Sequence, residues 1–344
     1  MHNPFSTTFG MEPNNFIQRL EESKQIISEF NDVNPSNYVY LITGVRGIGK
    51  TVFLSHIANT LSQDDKWLVI DPGPKDNLLE NIASELYEAG KVKHLFLKTE
   101  FNFSFQGLTF SIKGENPVVN VLTLIKKMLE YLKKKGKRVL ITIDEVDNST
   151  EMKYFIQAYQ SLIRQNYPIL LLMTGLYDNV SKLQDDKSLT FLYRAPKIQL
   201  GSLSLQTIAS KYREYLLSDD ETSIKLAKLT KGYAYAYQVL GYILYKNNTT
   251  EINSKLLEEY DQYLSEYVYE KLYSELSMQE KNVVLAFNSD EIVDMTQLRL
   301  KTNLSTKELS VYRNRLIKKG IIKSTSYGYV EFTLPRFNEF LKLQ

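Results

Sequence analysis

The chain has 344 residues, of which 43% are hydrophobic and 24% are charged, and its formal net charge is +2. This length allows two or three globular domains, and the near-neutral charge excludes an overall basic field, so any nucleic-acid-binding surface has to be local. The absence of cysteine excludes disulfides, thiolate catalysis and cysteine-ligated zinc, and it is typical of a protein of the reducing cytoplasm.

Residues 1–36 form a lead segment. Residues 1–6 lack the basic and apolar regions of a signal peptide, and the apolar runs elsewhere in the chain are too short to cross a bilayer. We therefore expect a cytoplasmic protein without a membrane partner. Apolar spacing between Asn14 and Phe30 predicts one helix in this segment.

A phosphate-binding loop follows the first predicted strand. Residues 44–51 read G-V-R-G-I-G-K-T, which fits the pattern G-x-x-x-x-G-K-T. Tyr38–Thr43 is a β-branched and aromatic strand that runs into the loop, and the residues from Thr51 onward have helical apolar spacing. Glycines let consecutive backbone N–H groups curl around an anion, and the helix that starts near Gly49 directs its positive end at the same phosphates.

The loop predicts a nucleotide site with Mg²⁺. Lys50 supplies a positive charge for the outer phosphates, and the Thr51 hydroxyl is a predicted Mg²⁺ ligand. We interpret Arg46 as a solvent-facing or subunit-contact residue rather than a catalytic one. The nucleotide-binding residues predicted from the loop are Gly44, Val45, Arg46, Gly47, Ile48, Gly49, Lys50, Thr51 and Val52.

Two further segments precede the next motif. Trp67–Asp71 is a second apolar strand, and a helix is predicted from about Asp76 to Ala89. Phe101–Ile112 alternates apolar and polar residues on both sides of Gln106-Gly107, which predicts a β-hairpin inserted within residues 91–118. We interpret this insertion as a candidate partner contact.

An acidic pair follows a buried strand in the middle of the chain. Val139–Ile143 is predominantly apolar and delivers Asp144 and Glu145 to the carboxyl end of the strand, the edge at which open α/β sheets bind ligands. We predict that Asp144 holds Mg²⁺ through water and that Glu145 orients and polarises an attacking water. The alternative is a solvated acidic loop. The intact phosphate loop makes this alternative less favoured. Asp147 is interpreted as a loop residue rather than a ligand.

Two later strand ends carry further candidates. The buried strand Ile169–Thr174 ends at Thr174. The Thr174 hydroxyl is predicted to sense a terminal phosphate or to align water. The alternative is that Thr174 is only a polar residue at the end of a strand. Arg194 precedes the short strand Ile198–Leu200, and it is either an arginine finger reaching a phosphate across a subunit interface or a structural arginine. With Lys50 and Glu145, these two residues form the predicted catalytic set.

The alternation of strands and helices predicts an α/β fold over residues 37–203, with a parallel sheet and helices on both faces. Residues 204–274 are predicted to be helical, and residues 275–344 form a separate small unit of three helices and a hairpin. The predicted elements of these two regions are helices at Leu205–Leu217, Ser223–Leu229, Ala234–Tyr245, Ser254–Ser274, Met278–Phe287, Met295–Thr302 and Thr306–Lys319, and a hairpin at Ile321–Phe332.

Several of these features together resemble one family of ATPases. They are the phosphate loop, Asp144-Glu145, Thr174, the Arg194 segment and the stretch Lys231–Gln238. Over nearly its whole length the chain resembles AAA+ ATPases of the origin-recognition and archaeal-type branch, close to the STAND nucleotide switches. The resemblance implies a five-stranded sheet in the order 5-1-4-3-2, a helical lid over residues 204–274, and ATP bound between sheet and lid.

Two departures from the family pattern favour a slow switch. Members usually carry Gly-Arg near the adenine, whereas this chain has Gln18-Arg19, so the resemblance implies only a candidate nucleotide contact for Arg19. Ring-forming members offer a lid arginine to the γ-phosphate, whereas Gly232-Tyr233-Ala234 offers none. The chain therefore resembles a slow nucleotide switch more than a fast ring motor.

The C-terminal unit resembles a winged helix-turn-helix, whose third helix enters the DNA major groove. Ser305 and Glu308 have capping-box spacing at the start of that helix, and five basic residues lie from Lys307 to Lys319 against one acid. The alternative is a winged helix that contacts protein, with a merely solvated basic face. The predicted DNA-binding residues are Lys307, Arg313, Asn314, Arg315, Lys318 and Lys323.

These features predict one of two functions. The first is an ATPase whose ATP or ADP state controls binding of double-stranded DNA by the winged helix. The second is a signalling switch in which ATP closes the lid, exposes an interface or assembles a homo-oligomer, and recruits a protein effector without DNA. Both functions use ATP and Mg²⁺. Because Lys50, Thr51, Asp144 and Glu145 are all present, we expect the protein to hydrolyse ATP to ADP and phosphate, at a slow rate.

Overall fold

The structure is a computed structural model of the chain. It describes all residues except 1–2, 9–12, 14, 74–75, 90–91, 93–98, 106–107, 113–115, 118–119 and 288–291, and it describes only the backbone of 99–105, 108–112 and 116–117. Within this described part, no helix combines the length and the hydropathy that crossing a bilayer requires.

The described residues contain one five-stranded sheet and two small three-stranded sheets. In chain order the strands are β1 (Val39–Thr43), β2 (Trp67–Ile70), β3 (Thr99–Phe105), β4 (Leu108–Ile112), β5 (Asn116–Pro117), β6 (Arg138–Ile143), β7 (Ile169–Gly175), β8 (Lys197–Gln199), β9 (Val293–Asp294), β10 (Ile322–Ser326) and β11 (Tyr329–Phe332).

In sequence, one helix precedes the strands of the large sheet and the others lie between and after them. In chain order they are α1 (Leu20–Asn31), α2 (Lys50–Ser62), α3 (Leu78–Ala89), α4 (Val121–Lys134), α5 (Thr150–Arg164), α6 (Tyr177–Gln184), α7 (Leu205–Leu216), α8 (Asp220–Leu229), α9 (Ala234–Lys246), α10 (Ser254–Leu264), α11 (Glu270–Ser274), α12 (Met278–Leu285), α13 (Met295–Thr302), α14 (Thr306–Lys319) and α15 (Phe337–Leu341). A π-helical turn, Ser265–Tyr269, joins α10 to α11.

The five-stranded sheet is parallel throughout, in the order β2-β6-β7-β1-β8. Numbered among these five strands alone, this is the order 2-3-4-1-5, so the predicted order 5-1-4-3-2, read from the other edge, is confirmed. β7 and β1 lie inside the sheet and are buried along their whole length, which explains why they read as continuous apolar runs.

Helices cover both faces of this sheet, as predicted. On one face, alternate strand residues such as Leu41, Ile141 and Leu171 pack with apolar residues of α3, α4, α5 and α6. On the opposite face, the ring of Tyr40 meets Phe30 of α1 edge-on, with the ring centroids 5.5 Å apart. Because both faces are covered, the edge where the strands end is the part of the sheet that a ligand can reach.

The chain divides into two compact units. The first consists of residues 1–19, 44–52 and 200–344, and it holds the phosphate loop, the helical region and the C-terminal region. The second consists of residues 20–43 and 53–199, and it holds the five-stranded sheet and the strand-end carboxylates.

The first helix starts later than the apolar spacing predicted. α1 begins at Leu20 rather than near Asn14, so residues 15–19 are not helical. In this stretch the side chains of Asn15 and Arg19 bond to distant parts of the first unit, contacts that outweigh the helical periodicity. Acidic residues in the first turn of α1 favour a helix start at Leu20, because they complement the positive end of the helix.

The hairpin predicted from alternation between residues 101 and 112 is present. β3 and β4 pair antiparallel, with Phe101 opposite Ile112 and Phe105 opposite Leu108. The predicted turn residues Gln106 and Gly107 lie outside the described residues. A partner contact for this insertion stays a prediction.

The C-terminal region combines helices with a small sheet, an arrangement compatible with a winged helix. α12, α13 and α14 are followed by the antiparallel pair β10–β11, and β9 joins β11 on its other side. The capping box predicted at Ser305 and Glu308 is present at the start of α14. Gly328, between β10 and β11, has a φ of +80°, which a glycine adopts readily in a turn.

Polar contacts fasten this region to the preceding helices of the same unit. Arg336 forms a two-contact ion pair with Asp261 of α10. The Tyr269 hydroxyl donates to the Pro335 carbonyl at 2.6 Å. The C-terminal helices are thereby coupled to the helical region through α10 and the π-helical turn.

A buried ion pair that the sequence patterns did not indicate holds α12 against α14. Glu280 is only 2% exposed, and its carboxylate accepts from Lys319 Nζ at 2.9 Å and from the Ser277 N–H at 2.8 Å. Lys319, counted above in the basic stretch, is therefore used in packing. Although burial opposes it, hydrogen bonds from Lys319 and Ser277 hold the pKa of the Glu280 carboxyl below its usual value of 4.5.

We expect Glu280→Gln to lower the free energy of unfolding by about 3 kcal/mol, because it removes the buried carboxylate that accepts from the Lys319 ammonium. The depressed pKa of Glu280 also predicts that its stabilisation is complete above its unfolded-state pKa and is lost as the pH falls through the lower folded-state pKa. Urea unfolding of the wild type and the variant at several pH values measures both effects.

The matched control is Glu339→Gln, which removes the exposed pair between Lys342 and Glu339. It should change the free energy of unfolding by less than about 0.5 kcal/mol. Equal effects of the two substitutions would contradict a structural role for the buried pair.

Candidate functional site

The phosphate loop of the first unit owes its shape to glycine. Gly47 and Gly49 have φ of +75° and +95°, in the left-handed region that other residues rarely adopt. Gly47 also has no room for a side chain, since a Cβ there would lie 2.2 Å from the Tyr233 hydroxyl oxygen. Its backbone conformation and its neighbour therefore both require glycine.

Each carbonyl oxygen from Gly44 to Ile48 accepts a hydrogen bond from the same unit. Lys50 Nζ donates to Gly44 and Val45 at 3.1 and 3.2 Å, the Tyr233 hydroxyl to Arg46, the Tyr235 N–H to Gly47 at 3.1 Å, and Arg19 Nη2 to Ile48 at 2.9 Å. In a trans peptide the N–H points away from the carbonyl of the same peptide, so the amides of this stretch lie on the opposite side, except the Ile48 N–H, which donates to the Val45 carbonyl at 3.3 Å. Such a row of N–H groups, followed by the first turn of α2, fits a phosphate anion.

The loop residues predicted to bind the nucleotide are thus held in one local structure. Lys50, Thr51 and Val52 form the first turn of α2, directly after the loop. Arg19 is brought to the loop: its side chain is buried and bonded to the Ile48 carbonyl, so it positions the backbone. A contact between Arg19 and a nucleotide stays a prediction.

A hydrogen-bond relay joins the lead segment to α9. The Ser6 N–H donates to Gln238 Oε1 at 3.0 Å, and Gln238 Nε2 donates to Asn15 Oδ1 at 2.9 Å. Because a backbone N–H only donates, this order fixes the orientation of both amides and leaves Asn15 Nδ2 at the end of the relay. That nitrogen is buried, and no acceptor reaches it among the residues that the structure describes.

The acidic pair lies in the second unit, where β6 and β7 run side by side. The register sets Ile143 opposite Met173, so the residues that follow, Asp144 and Thr174, are adjacent. The Thr174 hydroxyl donates to Asp144 Oδ1, and the Glu145 N–H approaches Asp144 Oδ1 at 3.0 Å and Thr174 Oγ1 at 3.2 Å. The structure thus brings Thr174, which the sequence predicted separately, together with the acidic pair.

Glu145 has an unusual backbone for a residue with a side chain. Its φ is +54°, in the left-handed region, and strain of this kind persists only where the surroundings hold it. Thr174 helps to maintain this conformation through two hydrogen bonds. Its hydroxyl accepts from the Glu145 N–H, and its carbonyl accepts from the Val146 N–H at 2.8 Å. The turn leaves the Glu145 side chain exposed, and its role in orienting water stays a prediction.

Asp147 lies in the loop that follows Asp144 and Glu145, as the sequence predicted. Its Oδ1 accepts from the Ser149 N–H at 3.0 Å, and Ser149 caps α5 by accepting from the Met152 N–H at 3.2 Å. Gly175 after Thr174 is crowded, because a Cβ there would lie 2.8 Å from Val146 Cγ2. Small size at Gly175 therefore lets the two strand ends approach.

The sequence reasoning missed one carboxylate at this edge. Asp71 directly follows β2, whose Ile70 pairs with Ile141 of β6. Burial raises the pKa of the Asp71 carboxyl, and the negative charge of Asp144 raises it further. The sequence does contain a pattern that would have identified Asp71, since this residue follows an apolar strand as Asp144 does.

Arg194 lies in a short 3-10 turn, Leu192–Arg194, ahead of β8. Its side chain is exposed, and the neighbouring Tyr193 is 71% exposed. Such a position suits either a surface arginine or one that meets a second molecule, so its role as a finger stays a prediction.

The predicted DNA-binding residues line α14 and the start of the β10–β11 hairpin. Arg313 joins the two elements, since its guanidinium donates to the Ser324 hydroxyl of β10 and, at 3.4 Å, to Asn314 Oδ1. Arg315 lies over the Tyr312 ring at 5.6 Å. The exposed members of the set are Lys307, Asn314, Arg315, Lys318 and Lys323, and Lys323 pairs with Glu331 at 2.9 Å.

Comparison with known families assigns two parts of the chain. Residues 16–170 match an ATPase domain found predominantly in Archaea. Residues 266–341 match a domain of unknown function, DUF8462. No curated protein sequence matches the chain.

Solved structures match nearly the whole chain at low sequence identity. The Walker-type ATPase paby2304 of Pyrococcus abyssi has a TM-score of 0.66 at 15% identity, covering 95% of this chain and 96% of that one. The ORC2 protein of Aeropyrum pernix, in ADPNP–ADP complexes, has a TM-score of 0.59 at 12% identity, covering 98% and 96%. At such identities these matches establish the fold.

The fold and its phosphate loop are those of the AAA+ P-loop ATPases, here with an additional C-terminal domain. Within that fold, residues 16–170 match the archaeal-type ATPase domain.

We expect Thr174→Val to lower ATP turnover about 10- to 100-fold while leaving ATP affinity within about threefold, because it removes the hydroxyl that holds Asp144 and the Glu145 N–H. Steady-state phosphate release and nucleotide titration measure the two quantities. The matched control is Thr142→Val, which removes another buried hydroxyl of the same sheet, bonded to the Ile70 carbonyl at 3.2 Å. Equal losses in both variants would mean that Thr174 acts only on stability.

Proposed function

We propose that the protein is a slow ATP-hydrolysing switch that couples its nucleotide state to binding of double-stranded DNA by the C-terminal region. The observation that carries this proposal is the bonding of the phosphate loop to the helical region that also holds the C-terminal region. Tyr233 and Tyr235 bind loop carbonyls, Glu275 pairs with Arg46, and Arg336 fastens the C-terminal helices to α10. A change at the loop therefore has a path of direct contacts toward α12–α14.

In this proposal the loop amides and Lys50 bind the phosphates of ATP, and Thr51 and Asp144 hold Mg²⁺. The metal, when bound, neutralises charge that develops on the phosphates. Glu145 accepts a proton from the attacking water and orients it, while Thr174 keeps the Asp144 carboxylate in place. Arg194 would act from a second copy of the chain in a nucleotide-dependent homo-oligomer.

The slow rate follows from the helical lid. Gly232-Tyr233-Ala234 carries no arginine, so this segment contributes hydrogen bonds to the loop rather than a charge to the γ-phosphate. A missing charge of this kind removes a large part of transition-state stabilisation in phosphoryl transfer. We place the protein in the cytoplasm on the basis of its lack of cysteine.

DNA binding is supported by the exposed face of α14 and the adjoining hairpin. Lys307, Arg315 and Lys318 are exposed on the helix that would enter the major groove. Arg313 bridges that helix to Ser324, which fixes the angle of the hairpin against the helix. This geometry suits phosphate contacts at both edges of a groove.

The first test is ATP turnover of the wild type with and without duplex DNA, with Lys50→Ala as the blank. We expect a slow basal rate that DNA stimulates. Glu145→Gln should retain ATP affinity and lose turnover about 100-fold or more, because an amide cannot accept the proton of the water. A Glu145→Gln variant that hydrolysed ATP at the parental rate would remove Glu145 from the mechanism.

The DNA surface is tested by the double variant Lys307→Ala plus Lys318→Ala. We expect duplex DNA of every sequence to bind more weakly. The slope of log affinity against log salt concentration should become shallower by the amount that about two phosphate contacts contribute. The control is Lys225→Ala plus Lys342→Ala, which loses the same charge at exposed lysines elsewhere, each paired with a carboxylate. If the control weakened binding as much, only net charge would matter.

A second function is favoured by the absence of a lid arginine: a signalling switch of the STAND kind, whose ATP-bound form recruits a protein effector without DNA. The measurement is oligomer mass by light scattering in ATP and in ADP. Growth in ATP together with turnover indifferent to DNA would favour this function. An unchanged monomer in both nucleotides would count against it.

A further inference from the structure

Arg46, inside the phosphate loop, has an incomplete set of hydrogen bonds. Its Nη2 meets Glu275 Oε1 at 3.3 Å in a single contact, whereas an arginine matched to its anion usually makes two shorter ones. Its Nε is buried and has no acceptor within the described part of the chain. A buried donor without a partner is rare in folded proteins, and an ion or another functional partner is one of its recognised explanations.

The backbone of Arg46 is fixed while its side chain is held loosely. The Tyr233 hydroxyl binds the Arg46 carbonyl, so the residue cannot shift along the loop. The pair with Glu275 is half-exposed on both sides, which makes it weak. The guanidinium is therefore the part of the loop that is able to change partner without moving the amides around it.

Glu275 has a second cation within reach. Lys271, one turn earlier on α11, brings its Nζ to 3.9 Å from the same oxygen of Glu275 that Arg46 contacts. If Arg46 left, Glu275 would keep a counter-charge. If Arg46 changes its partner, the Glu275 carboxylate therefore still lies near a positive charge.

We propose that Arg46 is a phosphate-reading residue that exchanges Glu275 for the terminal phosphate of ATP. This inference rests on the function proposed above, because it requires ATP at the loop. A terminal phosphate carries more charge than a carboxylate and has three acceptor oxygens, which satisfies both Nη2 and the unpaired Nε.

The exchange gives ATP and ADP different effects on the C-terminal region. Glu275 ends α11 and stands two residues before Ser277, which caps α12. The contact between Arg336 and Asp261 does not involve the loop and would persist in both states. The change on ATP binding is thus confined to the junction between α11 and α12.

The test is the ratio of ATP to ADP affinity, measured by titration of the full chain with each nucleotide. Glu275→Gln removes the competing charge, so we expect it to tighten ATP binding about threefold to tenfold and to change ADP binding by less than about twofold. Arg46→Gln should weaken ATP selectively, and in the double variant the gain from Glu275→Gln should disappear. The control is Glu259→Gln, which removes the exposed lid pair with Lys246 and should leave the ratio unchanged.

Equal changes for ATP and ADP in Glu275→Gln, or an unchanged ratio in Arg46→Gln, would overturn the exchange. The same titrations separate this failure from failure of the proposed function. If the wild type binds ATP no better than Lys50→Ala does, the nucleotide site itself is wrong. If it binds ATP and the Arg46 and Glu275 variants leave the ratio unchanged, only the inference about Arg46 is wrong.

Discussion

The hydrogen bonds to the carbonyl oxygens of the phosphate loop are the constraint on which the first unit depends. They turn five carbonyls toward the protein and so fix the direction of the amides that face the anion. The donors come from the lead segment, from the start of α9 and from Lys50. A loop that binds phosphate therefore also serves as the point where separate parts of the unit are joined.

The strand ends of the second unit are governed by a different constraint. Neighbouring parallel strands set Asp144 beside Thr174, and the hydroxyl between them fixes a left-handed turn at Glu145. Backbone strain of this kind is stable because a packed sheet surrounds it. The carboxylate chemistry thus depends on the register of β6 and β7, and Gly175 keeps those strand ends close.

Local patterns predicted the elements well and the long-range contacts poorly. The five strands and the helices of the C-terminal region followed from apolar periodicity, because each pattern is confined to a short segment, whereas the strand order was implied by the resemblance to AAA+ ATPases. The relay from Ser6 through Gln238 to Asn15, and the bond from Tyr233 to Arg46, join residues far apart in the sequence, and no local pattern encodes them. The late start of α1 is the same effect, since such contacts hold residues 15–19 out of the helix.

The close approach of Tyr233 to Gly47 changes how a familiar mutation should be interpreted. An added methyl group at Gly47 would collide with the tyrosine hydroxyl before any nucleotide arrived. A Gly47→Ala protein would thus combine a damaged phosphate loop with a displaced α9, and its phenotype would mix misfolding with loss of ligand. A Lys50→Ala change, by contrast, adds no atom beside the tyrosine and removes the donor to the Gly44 and Val45 carbonyls.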